Sequence, residues 1–156
     1  MSRSGAELAL LLLGSYRRLV ESVIDELAAR GHQDVRPVHD YAMRAIVAGA
    51  DNASELGRRL AVSKQAAAKT IAVLVQRGLV VRETDPIDAR RKRIRVTPLG
   101  LTVMREGAEI FDKLRDEWER QIGATELAVL ESQLSTLVGD KPIRVEAPGW
   151  VAQGSD

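Results

Sequence analysis

The sequence predicts a mainly α-helical fold with one small β-hairpin. Apolar residues recur at helical spacing in six segments of the 156-residue chain, and two short segments near its middle have strand character instead. Only 3% of the residues are aromatic, so aliphatic side chains must build most of the core. Abundant alanine and leucine favour helix. The length suits one domain with a sizeable core, or a small domain with helical extensions.

The first predicted helix runs from about Gly5 to Ala29, and Gly31 suits its C-cap. Its apolar face is wider than one packing partner requires. The main stripe comprises Leu8, Leu12, Tyr16, Leu19, Val23 and Leu27, and a neighbouring stripe adds Leu13, Val20 and Ile24.

Three shorter helices follow. The second begins at a proline suited to the first turn, covers about residues 37–48 and is stopped by Gly49. The third is opened by Asn52-Ala53-Ser54-Glu55, an Asn-x-x-Glu variant of the capping box. After a tight turn, Ser63 caps the fourth helix, which covers about residues 64–77. The predicted core residues of the third and fourth helices are Leu56, Leu60, Ala67, Ile71 and Leu74.

The pattern then changes to that of a hairpin. Leu79–Arg82 reads as a short strand, and Arg93–Thr97 alternates polar and apolar residues as a half-buried strand does. Between them lies a ten-residue basic loop, Glu83–Lys92, which contains the turn-forming pair Asp85-Pro86.

Two helices complete the chain. Thr97 and Pro98 suit the N-cap and first position of a long helix over about 99–121, and a last helix covers about 125–137. The predicted inward residues of the first are Val103, Ile110, Leu114 and Trp118. The second carries an apolar series made of Leu127, Leu130, Leu134 and Leu137. The tail, residues 139–156, is rich in proline and glycine and is expected to be irregular.

A net charge of +1 hides a strong asymmetry. Between Arg58 and Arg95 there are 11 basic and 3 acidic residues, whereas the remainder of the chain carries 12 basic and 19 acidic residues. A basic central segment flanked by acidic segments is typical of a protein that binds a polyanion. The alternative is a merely solvated charged face.

Several function classes have no support in the sequence. The chain has no cysteine, which excludes thiolate nucleophiles, disulfides and zinc–thiolate sites. His32 and His39 do not stand in a metal-binding or triad-like setting, and no phosphate-binding loop or nucleophile elbow is present. The apolar run Leu8–Leu13 is too short to span a bilayer. We therefore expect a cytoplasmic protein that is not an enzyme, with no cofactor, metal or membrane partner.

Two short helices joined by a tight turn and followed by a hairpin have the order of a winged helix-turn-helix. The helix at 64–77, about 20 Å long, is the candidate for the major groove, because the N-terminal residues of such a helix reach base edges. Gln65 can bond adenine bidentately, and Lys64 or Lys69 can reach guanine or phosphate. The candidate DNA contacts in the two short helices are Ser54, Ser63, Lys64, Gln65, Ala66, Ala68 and Lys69. The alternative for the lysines is that they are solvated helix charges.

The hairpin tip supplies the second set of candidate DNA contacts: Asp88, Arg90, Arg91, Lys92 and Arg93. Arginine inserted into a narrow minor groove gains from its enhanced negative potential. Asp88 cannot itself favour DNA, but its carboxylate could orient Arg90 or Arg91 through a charge-assisted hydrogen bond. The alternative is a basic loop without a specific role.

Taken in order, these segments resemble the MarR family of bacterial regulators. The resemblance is strong over about Val35–Gly107, and it rests on order and spacing more than on any one motif. The segments that carry it are Asn52–Leu60, Ser63–Ala66, Arg77–Val80, Asp85–Arg90 and Val96–Gly100. One departure is that Ala66 and Ala68 stand where family members often have serine or threonine. Alanine offers bases only apolar contact, so more weight should fall on phosphate contacts and DNA shape.

The resemblance implies a homodimer in which the first and last helices of two subunits interlock and two winged domains bind a pseudo-palindromic operator on double-stranded DNA. Repression is expected, because a dimer bound over a promoter blocks polymerase. It also implies a small aromatic or anionic effector held between the dimerisation and DNA-binding parts. Candidate effector contacts are Tyr16, His39, Arg44 and Trp118; the alternative is that Tyr16 and Trp118 belong to the core or the dimer interface.

The expected organisation is a dimerisation helix in residues 1–34, a winged helix-turn-helix in 35–100, C-terminal dimerisation helices in 101–138 and the tail in 139–156. Two other functions on the same fold remain open. One is a nonspecific architectural DNA-binding protein, which would show a steep salt dependence and little sequence preference. The other is a protein-interaction adaptor that no longer binds DNA, although the basic hairpin tip argues against it.

Overall fold

The computed structural model describes residues 4–140, and within that range it confirms the predicted fold class. The elements are α1 (Gly5–Ala29), α2 (Pro37–Val47), α3 (Ala53–Leu60), α4 (Lys64–Gln76), β1 (Val80–Thr84), β2 (Lys92–Val96), α5 (Pro98–Ile122) and α6 (Ala124–Val138). The tail predicted to be irregular lies outside the described residues, apart from Gly139 and Asp140.

The described chain divides into two compact units. One consists of residues up to Arg36 together with Val103–Val138, and the other consists of Pro37–Thr102. The first unit therefore contains α1, most of α5 and α6, and the second contains α2, α3, α4 and the β-hairpin. The functional roles that the sequence suggests for these regions stay predictions.

In the second unit, three short helices pack together and on the hairpin. α2 contacts α3, α4 and β2, and α4 contacts α3 and β1. The predicted inward face is confirmed, because Leu56, Ala67 and Leu74 are fully buried and Ile71 is nearly so. Burying each of the leucine and isoleucine side chains contributes about 1.5–3 kcal/mol. This core fixes the exposed faces of α3 and α4.

The strands begin and end differently from the prediction. β1 and β2 pair antiparallel from Val80 opposite Val96 to Thr84 opposite Lys92. The sequence analysis placed Glu83 in the loop, after a strand that ends at Arg82. In the structure it lies opposite Arg93, and this cross-strand pair of opposite charges extends the ladder. The loop is correspondingly shorter than the predicted one.

The helix caps confirm some predictions and correct one. Asn52 accepts a hydrogen bond from the Glu55 amide at 2.9 Å, as predicted. The reciprocal half of that capping box is absent, because the Glu55 carboxylate pairs instead with Arg58 and Arg59. A complete capping box, which the sequence analysis did not predict, opens α1: the Glu7 amide donates to Ser4 Oγ and the Ser4 amide donates to Glu7 Oε2.

In the first unit, polar side-chain contacts join distant segments around a small buried core. His32 Nε2 lies 2.7 Å from Glu106 Oε2, and Arg115 donates to Glu131 at 2.7 Å. The Arg115 guanidinium lowers the pKa of Glu131 below its usual value. The buried apolar residues of this unit include Val23, Leu27, Val103, Ile110 and Leu127.

The predicted apolar stripes of the first unit are only partly buried within one chain. On α5, Val103 and Ile110 are buried as predicted, whereas Leu114 and Trp118 are half-buried. On α6, Leu127 is buried, whereas Leu130 and Leu137 of the same apolar series are exposed in the single chain. The exposed large apolar residues of α1 are Leu8, Leu10, Leu11, Leu12 and Tyr16.

Candidate nucleic-acid interface

The turn between α3 and α4 is closed by a glycine and by a left-handed residue. A Cβ on Gly57 would lie 3.0 Å from the Val62 carbonyl oxygen and 3.2 Å from that of Ser63. Ala61 follows α3 with φ 55° and ψ 38°, in the left-handed region that rarely suits a residue with a side chain. Close approach at Gly57 and reversal at Ala61 bring the start of α4 beside α3.

The first turns of α4 present an exposed polar face. Ser63 caps the helix by accepting a hydrogen bond from the Ala66 amide at 3.0 Å. Lys64, Gln65, Ala68 and Lys69 are exposed, and Ala66 is half-buried. Within residues 4–140 the side chains of Lys64, Gln65 and Lys69 have no hydrogen-bonding or ionic partner. A helix start with free amides and unpaired cations suits a phosphate or a base edge.

Ser54, the remaining candidate in the two short helices, is exposed in the first turn of α3. Further along that helix, Arg59 donates from Nη1 to the Ala48 carbonyl oxygen at 2.8 Å and pairs with Glu55. This arginine therefore provides a hydrogen bond to a carbonyl oxygen just after α2, and Glu55 partly compensates its charge.

The strands of the hairpin carry a carboxylate between two arginines. Glu83 Oε1 accepts from Arg93 Nη2 at 2.8 Å and from Arg95 Nε at 3.1 Å. Hydrogen bonds from Arg95 and Arg93 lower the pKa of Glu83 below its usual value. Lys92 Nζ, in contrast, donates only to the Thr84 hydroxyl, so its charge is not compensated there. Arg93, a predicted DNA contact, is thus half-buried in an ion pair.

The predicted role of Asp88 is corrected by the loop geometry. Asp88 Oδ1 accepts a hydrogen bond from the Arg90 backbone amide at 3.0 Å. Its carbonyl oxygen accepts from the Arg91 amide, so Asp88 shapes the loop backbone and does not hold a guanidinium. In the described part of the chain, the Arg90 side chain is exposed and has no ionic partner.

The guanidinium of Arg91 pairs with Asp51, which the sequence analysis did not single out. Arg91 Nη2 donates to Asp51 Oδ1 at 3.0 Å, and the Ile94 amide donates to the Asp51 carbonyl oxygen at 3.0 Å. Asp51, the residue just before the α3 N-cap, therefore contacts both the loop and β2. The two partners of the ion pair are 40 residues apart, and no sequence spacing could have indicated their contact.

The four candidate effector contacts fall in different units. Tyr16 and Trp118 belong to the first; Tyr16 is exposed, and Trp118 is half-buried and lines a groove of about 770 Å³ along α1 and α5. His39 and Arg44 belong to the second, where His39 is buried and Arg44 pairs with Asp40 at 2.6 Å. An effector site formed by all four stays a prediction.

No cluster of three or more histidine, cysteine, aspartate or glutamate residues in the range 4–140 is placed to hold a metal ion. None of the helices described is both long enough and apolar enough to cross a membrane.

Comparison with known proteins bears on this surface directly. Residues 34–91, which include α2, α3, α4 and the loop of the hairpin, match the model of the MarR family. The match confirms the resemblance that the sequence motifs indicated.

Solved structures share the fold over most of the chain. The transcriptional regulator PcaV from Streptomyces coelicolor has a TM-score of 0.67 at 22% identity, over 87% of this chain and 96% of that one. Wild-type MarR from E. coli gives 0.64 at 20% identity, over 89% and 100%. A mutant of MepR from S. aureus, bound to an oligodeoxyribonucleotide, gives 0.59 at 16% identity, over 84% and 95%.

Proposed function

On the premise that residues 34–91 are a MarR-family segment, we propose that this protein is a cytoplasmic, dimeric transcriptional regulator. It binds a pseudo-palindromic operator in double-stranded DNA, represses transcription from it, and is released by a small aromatic or anionic effector. α4 occupies the major groove, and the hairpin is the wing that reaches the adjacent minor groove.

One observation carries the DNA-binding part of the proposal. The first two turns of α4 expose Lys64, Gln65 and Lys69 without partners among the described residues, while Ala67, Ile71 and Leu74 hold the opposite face in the core. Unpaired polar side chains on a fixed helix can bond bases without first losing an internal contact. Positive charge on the wing, at Arg90 and Lys92, supplies phosphate contacts beside them.

The apolar residues left uncovered in the first unit support a homodimer. Leu8, Leu10, Leu11 and Leu12 of α1 are between 44% and 68% exposed, and Leu137 of α6 is 80% exposed. A soluble chain rarely leaves so many large apolar side chains on neighbouring helical turns in water. A second copy would cover them symmetrically, and a two-fold dimer matches a pseudo-palindromic site.

The effector and the direction of regulation rest on likeness to other proteins. PcaV from Streptomyces coelicolor has been solved in complex with its natural ligand, and that structure gives a TM-score of 0.60 at 21% identity, over 88% of this chain and 97% of that one. We assign the corresponding role here to Tyr16, His39, Arg44 and Trp118. A dimer that occupies a promoter excludes polymerase, which favours repression.

Fluorescence anisotropy tests the proposal. The full chain is titrated against a palindromic duplex selected by the protein from a random library, and against a scrambled duplex, at two salt concentrations. A preference of about a thousandfold or more that survives the higher salt supports a specific regulator. Equal binding that collapses with salt identifies an architectural DNA-binding protein, and no binding to either duplex identifies an adaptor.

Matched variants separate the surface from general charge effects. Gln65→Ala removes an uncharged base contact, so it should reduce the preference between the duplexes more than it reduces nonspecific binding. Arg105→Ala removes an exposed cation of α5. This residue lies outside the second unit, Pro37–Thr102, which we call the winged unit, and its removal should leave both affinities close to those of the wild type. If both variants bind like the wild type, α4 is not the reading helix.

A further inference from the structure

The tip of the wing carries an apolar side chain that the proposed function has not used. Ile87 is 95% exposed, more than any other large apolar residue in the described part of the chain. It lies in the loop between β1 and β2, next to Pro86, and both residues precede the basic run that starts at Arg90. Leaving such a side chain in water forgoes the stabilisation that its burial would provide.

The loop holds Ile87 in place by its own hydrogen bonds. The Ile87 amide donates to Asp85 Oδ1 at 2.8 Å, which also lowers the pKa of Asp85. The Asp85 amide donates to the Arg91 carbonyl oxygen at 2.9 Å and closes the loop. With the Asp88–Arg90 contact, these bonds shape the backbone on both sides of Ile87 before any partner arrives. A pre-formed loop loses little conformational entropy on binding.

The charges around Ile87 identify the chemistry of its partner. Arg90 has no ionic partner among residues 4–140, and Lys92 contacts only a hydroxyl. The carboxylates that flank Ile87 in the chain, Asp85 and Asp88, accept hydrogen bonds from the loop amides of Ile87 and Arg90. An apolar side chain in the same short loop as an unpaired cation suits a surface that has apolar walls and anionic rims. The DNA minor groove has this composition, with deoxyribose carbons along its walls and phosphates at its edges, and apolar side chains are known to enter it.

We propose that Ile87 is a specificity-determining residue, which enters the minor groove beside Arg90 and disfavours G·C pairs under the wing. The inference rests on the proposed DNA-binding function. In the minor groove A·T pairs present only acceptors, whereas G·C pairs add the guanine N2 amino donor. A branched aliphatic side chain cannot accept from that donor, so covering it leaves it unpaired, which is costly. The acceptors of A·T pairs remain available to the Arg90 guanidinium.

Inosine provides the decisive probe, because an I·C pair lacks the amino group in the minor groove and keeps the major-groove acceptors of guanine. Hydroxyl-radical footprinting of the library-selected duplex first locates the minor-groove positions that the protein protects beyond the α4 contacts. Those positions are then made A·T, G·C or I·C, and each duplex is titrated by anisotropy over a series of salt concentrations. For the wild type, G·C should weaken binding about tenfold relative to A·T, and I·C should restore it.

Three variants assign the effect to a residue. Ile87→Ala should weaken binding to the A·T duplex about three- to tenfold and remove the difference between A·T and G·C, with an unchanged salt slope. Arg90→Ala should lower the salt slope by about one for each subunit but keep the inosine effect. Val47→Ala, which shortens another apolar side chain of the same unit that is 58% exposed, should behave as the wild type does.

The outcomes separate this inference from the function on which it rests. If Ile87→Ala keeps the wild-type ratios among the three duplexes, or if Arg90→Ala abolishes them, Ile87 does not read the groove. A wild-type protein that binds its selected duplex tightly but is indifferent to A·T and G·C under the wing overturns the inference and leaves the regulator intact. A wild-type protein without preference for any duplex overturns both.

Discussion

Gly100 should be the least replaceable glycine of the winged unit, because two segments of chain already occupy the space of a side chain there. A Cβ at this position would lie 2.3 Å from the Leu79 carbonyl oxygen and 2.6 Å from Val96 Cγ1. The Leu79 carbonyl oxygen accepts the Thr97 amide at 3.0 Å, and Thr97 Oγ1 donates to the Gly78 carbonyl oxygen at 2.6 Å. The backbone cannot retreat without loss of hydrogen bonds.

The expected loss of stability follows from two costs and one gain. Overpacking costs about 1–3 kcal/mol, and a weakened Thr97–Leu79 hydrogen bond adds about 1 kcal/mol. Alanine recovers at most about 1 kcal/mol in helix propensity, because Gly100 lies in the first turn of α5. Gly100→Ala should therefore destabilise the protein by about 2 kcal/mol and lower its Tm by about 5 °C.

Urea denaturation and thermal scans measure this effect at fixed protein concentration, since the stability of the proposed dimer would depend on that concentration. Gly107→Ala is the matched control, because it lies in the same helix and its Cβ would meet only Leu27 Cδ1 at 3.9 Å. That variant should be as stable as the wild type or more stable by up to about 1 kcal/mol. Equal stability of the two variants would refute the packing argument at Gly100.

Three further predictions concern the winged unit. Ala61→Gly should raise the free energy of unfolding by about 0.5–1 kcal/mol in urea titrations, because glycine relieves the left-handed strain at φ 55°; a loss of stability would contradict the assigned turn. Arg91→Ala should speed hydrogen exchange of the Ile94 amide about two- to fivefold by loosening Asp51, and equally fast exchange in Arg90→Ala would show that the ion pair is not the cause. Arg95 and Arg93 lower the folded-state pKa of Glu83, so its stabilising contribution is present above its unfolded pKa of about 4.3 and is lost as the pH falls through the lower, folded value. The stability advantage of the wild type over Glu83→Gln should accordingly shrink between pH 6 and pH 3, and an advantage independent of pH would argue against the Arg93–Glu83–Arg95 cluster.

The parts of the fold that were predictable are those set by local sequence. The helical periodicity of α4, its Ser63 cap and the Pro98 start of α5 each depend on residues within a few positions of one another. Apart from the Ser4–Glu7 capping box, the contacts that were missed join distant segments. Asp51 pairs with Arg91, which lies 40 residues later in the chain. Position 100 requires glycine because the carbonyl oxygen of Leu79, 21 positions earlier, occupies the space of a Cβ there. The spacing of residues along a sequence does not indicate such long-range contacts, which become visible only in the packed structure.

The charges of the candidate interface were likewise predictable only in part. The sequence places 11 basic residues between Arg58 and Arg95, and counting alone would treat them as equivalent. In the structure, several of these arginines form ion pairs with carboxylates. Glu55 pairs with Arg58 and Arg59. Asp51 pairs with Arg91, and Glu83 pairs with both Arg93 and Arg95. Among residues 4–140, the cations with no hydrogen-bonding or ionic partner in this stretch are Lys64, Lys69, Arg82 and Arg90.

Cations held by carboxylates and cations without partners contribute differently to DNA binding. An unpaired lysine or arginine can neutralise a phosphate and release a counterion without first giving up a protein contact, whereas Arg93 or Arg95 must exchange Glu83 for the phosphate. The paired Arg91, Arg93 and Arg95 set the shape of the wing. The unpaired cations at the start of α4 and in the wing loop, which are Lys64, Lys69 and Arg90, are available to phosphates. Affinity should therefore depend on the few unpaired cations rather than on the total positive charge, and sequence preference on the uncharged neighbours Gln65 and Ile87.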